Sequence, residues 1–474
     1  MEETITPKRK LIPKFPPMYW LVILFEFFER GSYYGMMSIL AVYLTDKLNF
    51  SVIQAGSILG IFQPILYFLP ILTGAIADKI GYRRMLTVAF AFLGLGYFLV
   101  SQSTDYAMVF ASLAIVAIGS GTFKPIIAGS IARITDVSNS SVGFGIFYWS
   151  INLGAFIFPL IIVPFLKNFN WSYVFIASAV FTGLMLIPTI LFYKEPQIIK
   201  EEEEIKVSIG EVIFSTLKKI GTVLVDWKFI LFILIYSLFW ILYFQMFGTV
   251  LWYVQIFIDA TPLNNFISNL FGINWRFDIE HVTVVNAFTI ILLQLIISKI
   301  VQKTKAISTI LTGLAIATLG MFLLSFSSNI WILLVGLFVF TIGEMTAHPK
   351  YFSYLGLIAP ADKKATYLGF GFLYGVFGSA IGSFLGAKLY ESLVNSPMLN
   401  FIRLTLDNKG IALAENSSLA EALKIAENAG INKAEILSQA NPQGLWLIFF
   451  GIGLFAIACL LFYIKVIAKQ QPNE

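Results

Sequence analysis

Six charged side chains lie inside stretches otherwise apolar enough to cross a membrane. They are Glu26, Glu29 and Arg30 in the first stretch, Lys124 in the fourth, and Glu344 and Lys350 in the tenth. A charge at the bilayer centre costs about 2.5–3.5 kcal/mol even on the mildest scales, so each needs a reason to be there. Three are negative and three positive, which predicts mutual compensation around a water-accessible cavity. Glu26, Glu29, Arg30, Tyr33 and Tyr34 follow the i, i+3, i+4, i+7, i+8 spacing of one helix face, and Arg30 can pair with Glu26 one turn away. Lys124 falls at a comparable depth, so a bridge from it to one of the two glutamates is expected. Pro125 beside it interrupts the backbone ladder and can open that helix toward the cavity. A carboxylate desolvated next to a lysine has a tunable proton affinity, the property that proton coupling requires. Static ion pairs that only fix packing are the competing reading, and six charges over three helices weigh against it.

The elements that position these groups follow from composition. The chain is 58% hydrophobic, 16% aromatic and only 12% charged, where soluble domains carry roughly a quarter charged residues. The missing polar surface implies lipid as the solvent. The net charge of +5 does not indicate nucleic acid, because the basic residues sit where membrane topology wants them. One cysteine, Cys459, excludes a disulfide framework, and two histidines, His281 and His348, make a metal centre unexpected. No enzyme chemistry and no cofactor are expected. The first apolar stretch is long, charged and preceded by a basic leader, so it reads as a retained span and not a cleaved signal.

Crossing ~30 Å of hydrocarbon takes about 20 helical residues. Twelve spans are predicted, near 17–45, 52–77, 85–102, 106–132, 143–166, 171–193, 229–258, 281–302, 306–327, 330–358, 365–393 and 444–467. With the N-terminus inside, the cytoplasmic segments carry twenty-one Lys and Arg and the outer segments seven. Both termini are therefore expected in the cytoplasm of a plasma-membrane protein. A charged linker at 194–228, containing Glu201–Glu204, divides the chain into bundles at 1–193 and 229–474. A second insertion, 394–443, is predicted on the outside as a small helical hairpin. It is read as decorative, with helix starts at Ser418–Glu421 and Asn432–Glu435 and a turn at Gly430.

Six plus six spans around a central linker is the plan of the major facilitator fold, whose substrate binds near the midplane between the halves. The stretch Gly74-Ala-Ile-Ala-Asp78-Lys-Ile-Gly81-Tyr-Arg83-Arg84 resembles that superfamily's loop motif between its second and third helices. More specifically, Glu26-Phe-Phe-Glu29-Arg30-Gly-Ser-Tyr33-Tyr34-Gly35 resembles the ExxERFxYYG motif of the proton-coupled oligopeptide transporter (POT) family, with Gly31 in place of phenylalanine. Phe144-Gly-Ile-Phe-Tyr148-Trp-Ser-Ile-Asn152-Leu-Gly-Ala-Phe156 is similar to FYxxINLGA. Gly119-Ser-Gly-Thr-Phe-Lys124-Pro125 is similar to GxGxFKP, and Gly343-Glu344 with Pro349 and Ala359-Pro360 to the tenth-helix signature.

The resemblance implies a symporter of di- and tripeptides that works by alternating access with the proton as coupling ion, and a monomer is expected. On the matching positions, Glu26, Glu29, Arg30 and Lys124 would carry proton coupling. Lys124 and Glu344 would face the charged ends of a zwitterion, and Tyr33, Tyr34, Tyr148 and Asn152 would line the site. Two departures stand out. Met37 occupies a place where the family often has arginine, and Phe244 occupies the glutamate of the seventh-helix FWxxFEQ. Both members of one expected ion pair are thus missing, which is cheaper than losing one because no lone charge stays buried. A major facilitator carrying another small zwitterionic or amphiphilic solute is the alternative.

Overall fold

The computed structural model describes residues 14–467 except 137–138, 196–207, 361–362 and 415–416. The basic leader's first residues and the Glu201–Glu204 run lie outside the described residues. Eleven helices among them are long and apolar enough to cross a membrane. The twelfth span is the first helix, Pro17–Met37, whose three charges set it apart from the rest. In lipid every backbone polar group must be satisfied within its own segment, so long apolar runs have no alternative to helix.

The first span is prolonged by Leu40–Val42 and a π-helical turn, Tyr43–Lys47. There follow Val52–Ile80, Tyr82–Gln102, Tyr106–Ile134, Val142–Lys167 and Ser172–Leu191. The second half holds Trp227–Phe247 continued by Thr249–Phe257, then His281–Val301, Ala306–Leu324 and Ile330–Ile358. Lys364–Phe370 leads into Leu373–Tyr390, and Pro442–Val466 ends the set. Start signals are local: Ser51 and Gln54 close a reciprocal capping box on the second span, and Asp105 accepts the amide of Met108 on the fourth. Spans nine and ten approach backbone to backbone because Gly313 and Gly320 face Gly343 and Gly336. In lipid, where apolar burial gives no drive between helices, such close packing is what holds a pair together.

The linker is more than a solvated tether. Ile209–Leu224 is a helix started by a Ser208–Glu211 capping box. It packs against the second span and against the start of the eleventh, so it touches both halves of the molecule. The 394–443 insertion holds three helices, Ser396–Asn408, Leu419–Asn428 and Lys433–Leu437. Two begin at the expected caps, Ser418 and Asn432, and Gly430 turns between them at φ 69°. The third, Ser396–Asn408, continues the eleventh span through a π-helical turn and so carries no separate start signal. Met398, Ile402, Leu406, Ala422 and Ile436 are buried, and Ser418 donates a hydrogen bond to Asn49 between the first two spans (3.1 Å).

Contacts between the halves gather at this insertion end. Ala387 and Phe384 of the eleventh span sit against Gly56 and Gly60 of the second, and deeper in, Tyr67 sits against Gly375. The Trp252 indole donates to the Ala41 carbonyl (3.2 Å). Lys167, at the end of the fifth span, reaches Glu280 (2.5 Å) and Asp278 (2.6 Å) just before the eighth. Burial pushes the Glu280 carboxyl up to about 7 and Asp278 adds to that, while Lys167 opposes both. Ionising this carboxyl in the folded protein therefore costs stability between its ordinary value of 4.5 and about 7, and Lys167 limits that cost. Lys167→Ala leaves a buried carboxylate without its cation. It is expected to lower stability by about 3–5 kcal/mol at pH 8 and by less at pH 5, where Glu280 is neutral. Thermal unfolding of the purified protein at the two pH values checks both magnitude and direction.

Candidate functional site

The polar face of the first span forms one compact cluster. Arg30 donates to Glu29 through Nε (2.5 Å) and a terminal nitrogen (2.6 Å), and its Nε lies 3.7 Å from Glu26. Ser120 of the fourth span donates to the same Glu29 carboxylate (2.6 Å) and accepts from Arg30 (3.0 Å). The guanidinium also lies over the Tyr33 ring, 4.9 Å from its centroid. All three charged groups are buried, with Glu29 wholly enclosed. Removing Arg30 would leave two buried carboxylates, so the cluster stands or falls as a unit.

Lys124 does not form the bridge expected of it. No ion pair links it to Glu26 or Glu29; its ammonium lies over the ring of Tyr67, 4.7 Å from the centroid. Arg30 already occupies the near side of both glutamates, and an aromatic face gives a cation a partner without a second charge. Glu344, on the other half, is held by Asn286, whose amide donates to its Oε2 (2.8 Å) and to Thr341 (3.1 Å). It too has no ion pair among the described residues. Lys350 belongs elsewhere: it donates to the carbonyls of Gln302 and Thr304 and ties spans eight and ten together.

Rings continue from Lys124 across the junction of the two halves. Tyr67 meets Phe244 edge-on (5.8 Å) and lies 6.3 Å from Tyr374, while Tyr34 lies 6.4 Å from Phe247. Met37 is fully buried, and Phe244 packs among Trp240, Tyr243 and Phe247. The position that could have carried a carboxylate is therefore part of an apolar wall. Tyr33 is buried under Arg30, Tyr34 is half-buried, and Tyr148 is exposed. The Asn152 amide donates to the Tyr148 carbonyl (2.9 Å), which turns it along its own helix. Ser120, Asn286 and Tyr67 were missed from sequence. The available signals were a small polar residue between Gly119 and Gly121, a lone asparagine inside an apolar span, and a tyrosine between Pro64 and Pro70.

The loop motif is a separate structural knot. Asp78 accepts from Arg133 (2.8 Å) and from the Tyr82 hydroxyl (3.0 Å), and Arg133 stacks on the Tyr82 ring. Gly81 takes φ 100°, a conformation open to glycine, and so turns the chain between the second and third spans. Glu195 accepts the amides of Tyr82 (2.5 Å) and Arg83 (3.0 Å), and the Arg83 guanidinium caps the Ile190 carbonyl. Gly74 lets Pro125 pack against the second span, whereas Arg84 is exposed and makes no such contact.

Gly31 has a physical explanation. A Cβ there would overlap the ring of Phe158, which the fifth span's π-helical turn places against the first span. The Phe158 ring fills volume that a side chain at position 31 would otherwise take. Gly31→Phe alone is expected to destabilise strongly, and pairing it with Phe158→Gly to recover part of the loss. The coupling should reach about 0.5–3 kcal/mol, as it does for residues in contact, when the four proteins are compared by thermal unfolding.

Comparison with known proteins places this geometry. Over 178 residues the chain is 33% identical to dipeptide and tripeptide permease A of Citrobacter koseri, which covers 36% of this chain and 35% of that protein. Over 182 residues it is 31% identical to dipeptide and tripeptide permease B of Aliivibrio fischeri, 38% of this chain and 36% of that one. The chain thus matches about a third of the length of these relatives. Among solved structures, a peptide transporter POT in complex with sulfate superposes with a TM-score of 0.70 at 17% identity, over 96% of this chain and 95% of the other. A POT family transporter in complex with a thioalcohol-conjugated peptide gives 0.67 at 21% identity, over 96% of both chains. Likeness at that identity shows the shared fold. A family model covers residues 21–383, and by that match this multi-pass membrane chain belongs to the Major Facilitator Superfamily.

Proposed function

We propose that the chain is a proton-coupled symporter of di- and tripeptides that works by alternating access between the bundles 1–193 and 229–474. One observation carries the reading: Lys124 and Glu344 stand on opposite halves, each without an oppositely charged partner. A zwitterion supplies both missing counter-charges at once, its carboxylate to the lysine and its amine to the glutamate. Tyr34 and Tyr148 offer walls that tolerate varied side chains, and Tyr33 and Asn152 brace them.

The Glu26–Glu29–Arg30 cluster with Ser120 is the proton site of this proposal. A proton taken by Glu29 removes one of the charges that hold Arg30, frees the guanidinium to shift, and passes the change to Lys124 through the shared field. The relatives' names and the superposed peptide transporters support the peptide part. The loop charges favour both termini in the cytoplasm of the plasma membrane, with the insertion end outside. The gathering of contacts at that end then corresponds to a state closed to the outside. A monomer suffices, since both charged walls come from one chain.

Another small zwitterionic or amphiphilic solute is the second reading, and the apolar Met37 and Phe244 favour it. Purified protein in liposomes with an inward proton gradient is expected to accumulate a labelled dipeptide. Accumulation of none across a broad peptide panel, together with thermal stabilisation by non-peptides only, would replace the first reading by the second. Glu29→Gln is expected to abolish gradient-driven accumulation while peptide exchange across the membrane continues. Accumulation at the wild-type level in that variant would remove Glu29 from the coupling site.

A further inference from the structure

His348 lies one helical turn beyond Glu344 on the tenth span, on the same face. Four rings surround it. The Tyr236 hydroxyl meets its Nδ1 at 3.2 Å. Trp240, Phe352 and Tyr374 present edge-to-face contacts at centroid distances of 5.2, 5.4 and 5.6 Å. Tyr236 is itself pinned by stacking on Tyr351 at 4.0 Å. Tyr374 in turn neighbours Tyr67, the ring beneath Lys124, so the rings around His348 continue to that lysine.

The Tyr236 hydroxyl and Nδ1 share one hydrogen bond whose direction follows the imidazole tautomer; with the hydroxyl donating, the ring proton sits on Nε2. Nε2 makes no hydrogen bond among the described residues. His348 is half-buried among these aromatic side chains. Nothing in the coupling cluster or the charge pair uses it.

We propose that His348 is a specificity-determining residue of the solute site. Its Nε2–H recognises an uncharged acceptor oxygen, an amide carbonyl or a phenol oxygen, on a solute side chain seated among Trp240, Phe352 and Tyr374. This rests on the peptide reading above. A carboxylate is disfavoured there, because Glu344 stands one helical turn away on the same face. An aliphatic side chain fills the same place but leaves the donor without a partner once water is expelled. A solute amine bound at Glu344 places its neighbouring side chain within reach of the next turn of the same helix, where His348 lies.

The experiment is competition in proteoliposomes against a labelled dialanine, with Ala-Gln, Ala-Tyr, Ala-Leu and Ala-Glu as unlabelled competitors. Wild-type protein is expected to favour Ala-Gln and Ala-Tyr over Ala-Leu and Ala-Glu by about tenfold. His348→Leu is expected to bring the Ala-Gln to Ala-Leu ratio to about one, while His348→Gln, which keeps a donor, retains part of the preference. The ratio is the readout because a merely structural loss lowers all four competitors alike. Thermal unfolding confirms that each variant is folded, and His348→Gln stands in if the leucine variant is not. Dipeptide uptake without the preference, or the preference retained in His348→Leu, overturns this assignment alone. A wild-type protein that takes up no dipeptide overturns the transport reading and this assignment with it.

Discussion

No charge in this protein can rest in lipid without a partner, and that constraint orders everything around the first span. Arg30 is placed so that two carboxylates and a serine hydroxyl converge on it. The cluster lets three charges stay in a helix that would otherwise be the least tolerable of the twelve. It also fixes the rotation of that helix, because turning it would expose Glu29 to hydrocarbon, and so sets where Tyr33 and Tyr34 point. The fourth span must then come close enough for Ser120 to reach Glu29, and it brings Lys124 with it.

Much of the architecture was readable without coordinates, because hydropathy and helix length are blunt, cumulative signals. The span from 330 to 358 and the ends at Tyr106 and Val52 fall within a residue or two of their expected places. The linker helix was not foreseen, although Ser208 and Glu211 carry a start signal of the same kind as those found in the insertion. The neighbouring acidic run, Glu201–Glu204, reads as a solvated tether and masks that signal. In the site, residue types were legible and pairings were not. Lys124, Glu26 and Glu29 all suit a bridge by depth, yet rotation about the helix axes decides contact. It gave the glutamates to Arg30 and the lysine to Tyr67. Depth along a span can be counted from sequence, whereas azimuth depends on how neighbouring helices pack.

The two apolar departures read differently once packed. Met37 and Phe244 are filled positions in a continuous aromatic and aliphatic wall. Gly31 and Phe158 show the same logic at smaller scale, one residue giving up volume that another occupies from a different span. Such exchanges preserve packing while moving polarity away from the junction of the halves. Among the described residues, the inter-half ion bridge that remains lies near the rim, where Lys167 meets both Glu280 and Asp278.

The separation of Lys124 from Glu344 has a consequence for an empty carrier. On the proposed cycle, closing both ends of the pathway over two uncompensated charges strips them of water with nothing supplied in return. The penalty for each desolvated ion is several kcal/mol. A solute bearing both complementary charges removes it. Idle turnover would then be suppressed by electrostatics alone, and the proton gradient would not leak through a carrier that has nothing to carry.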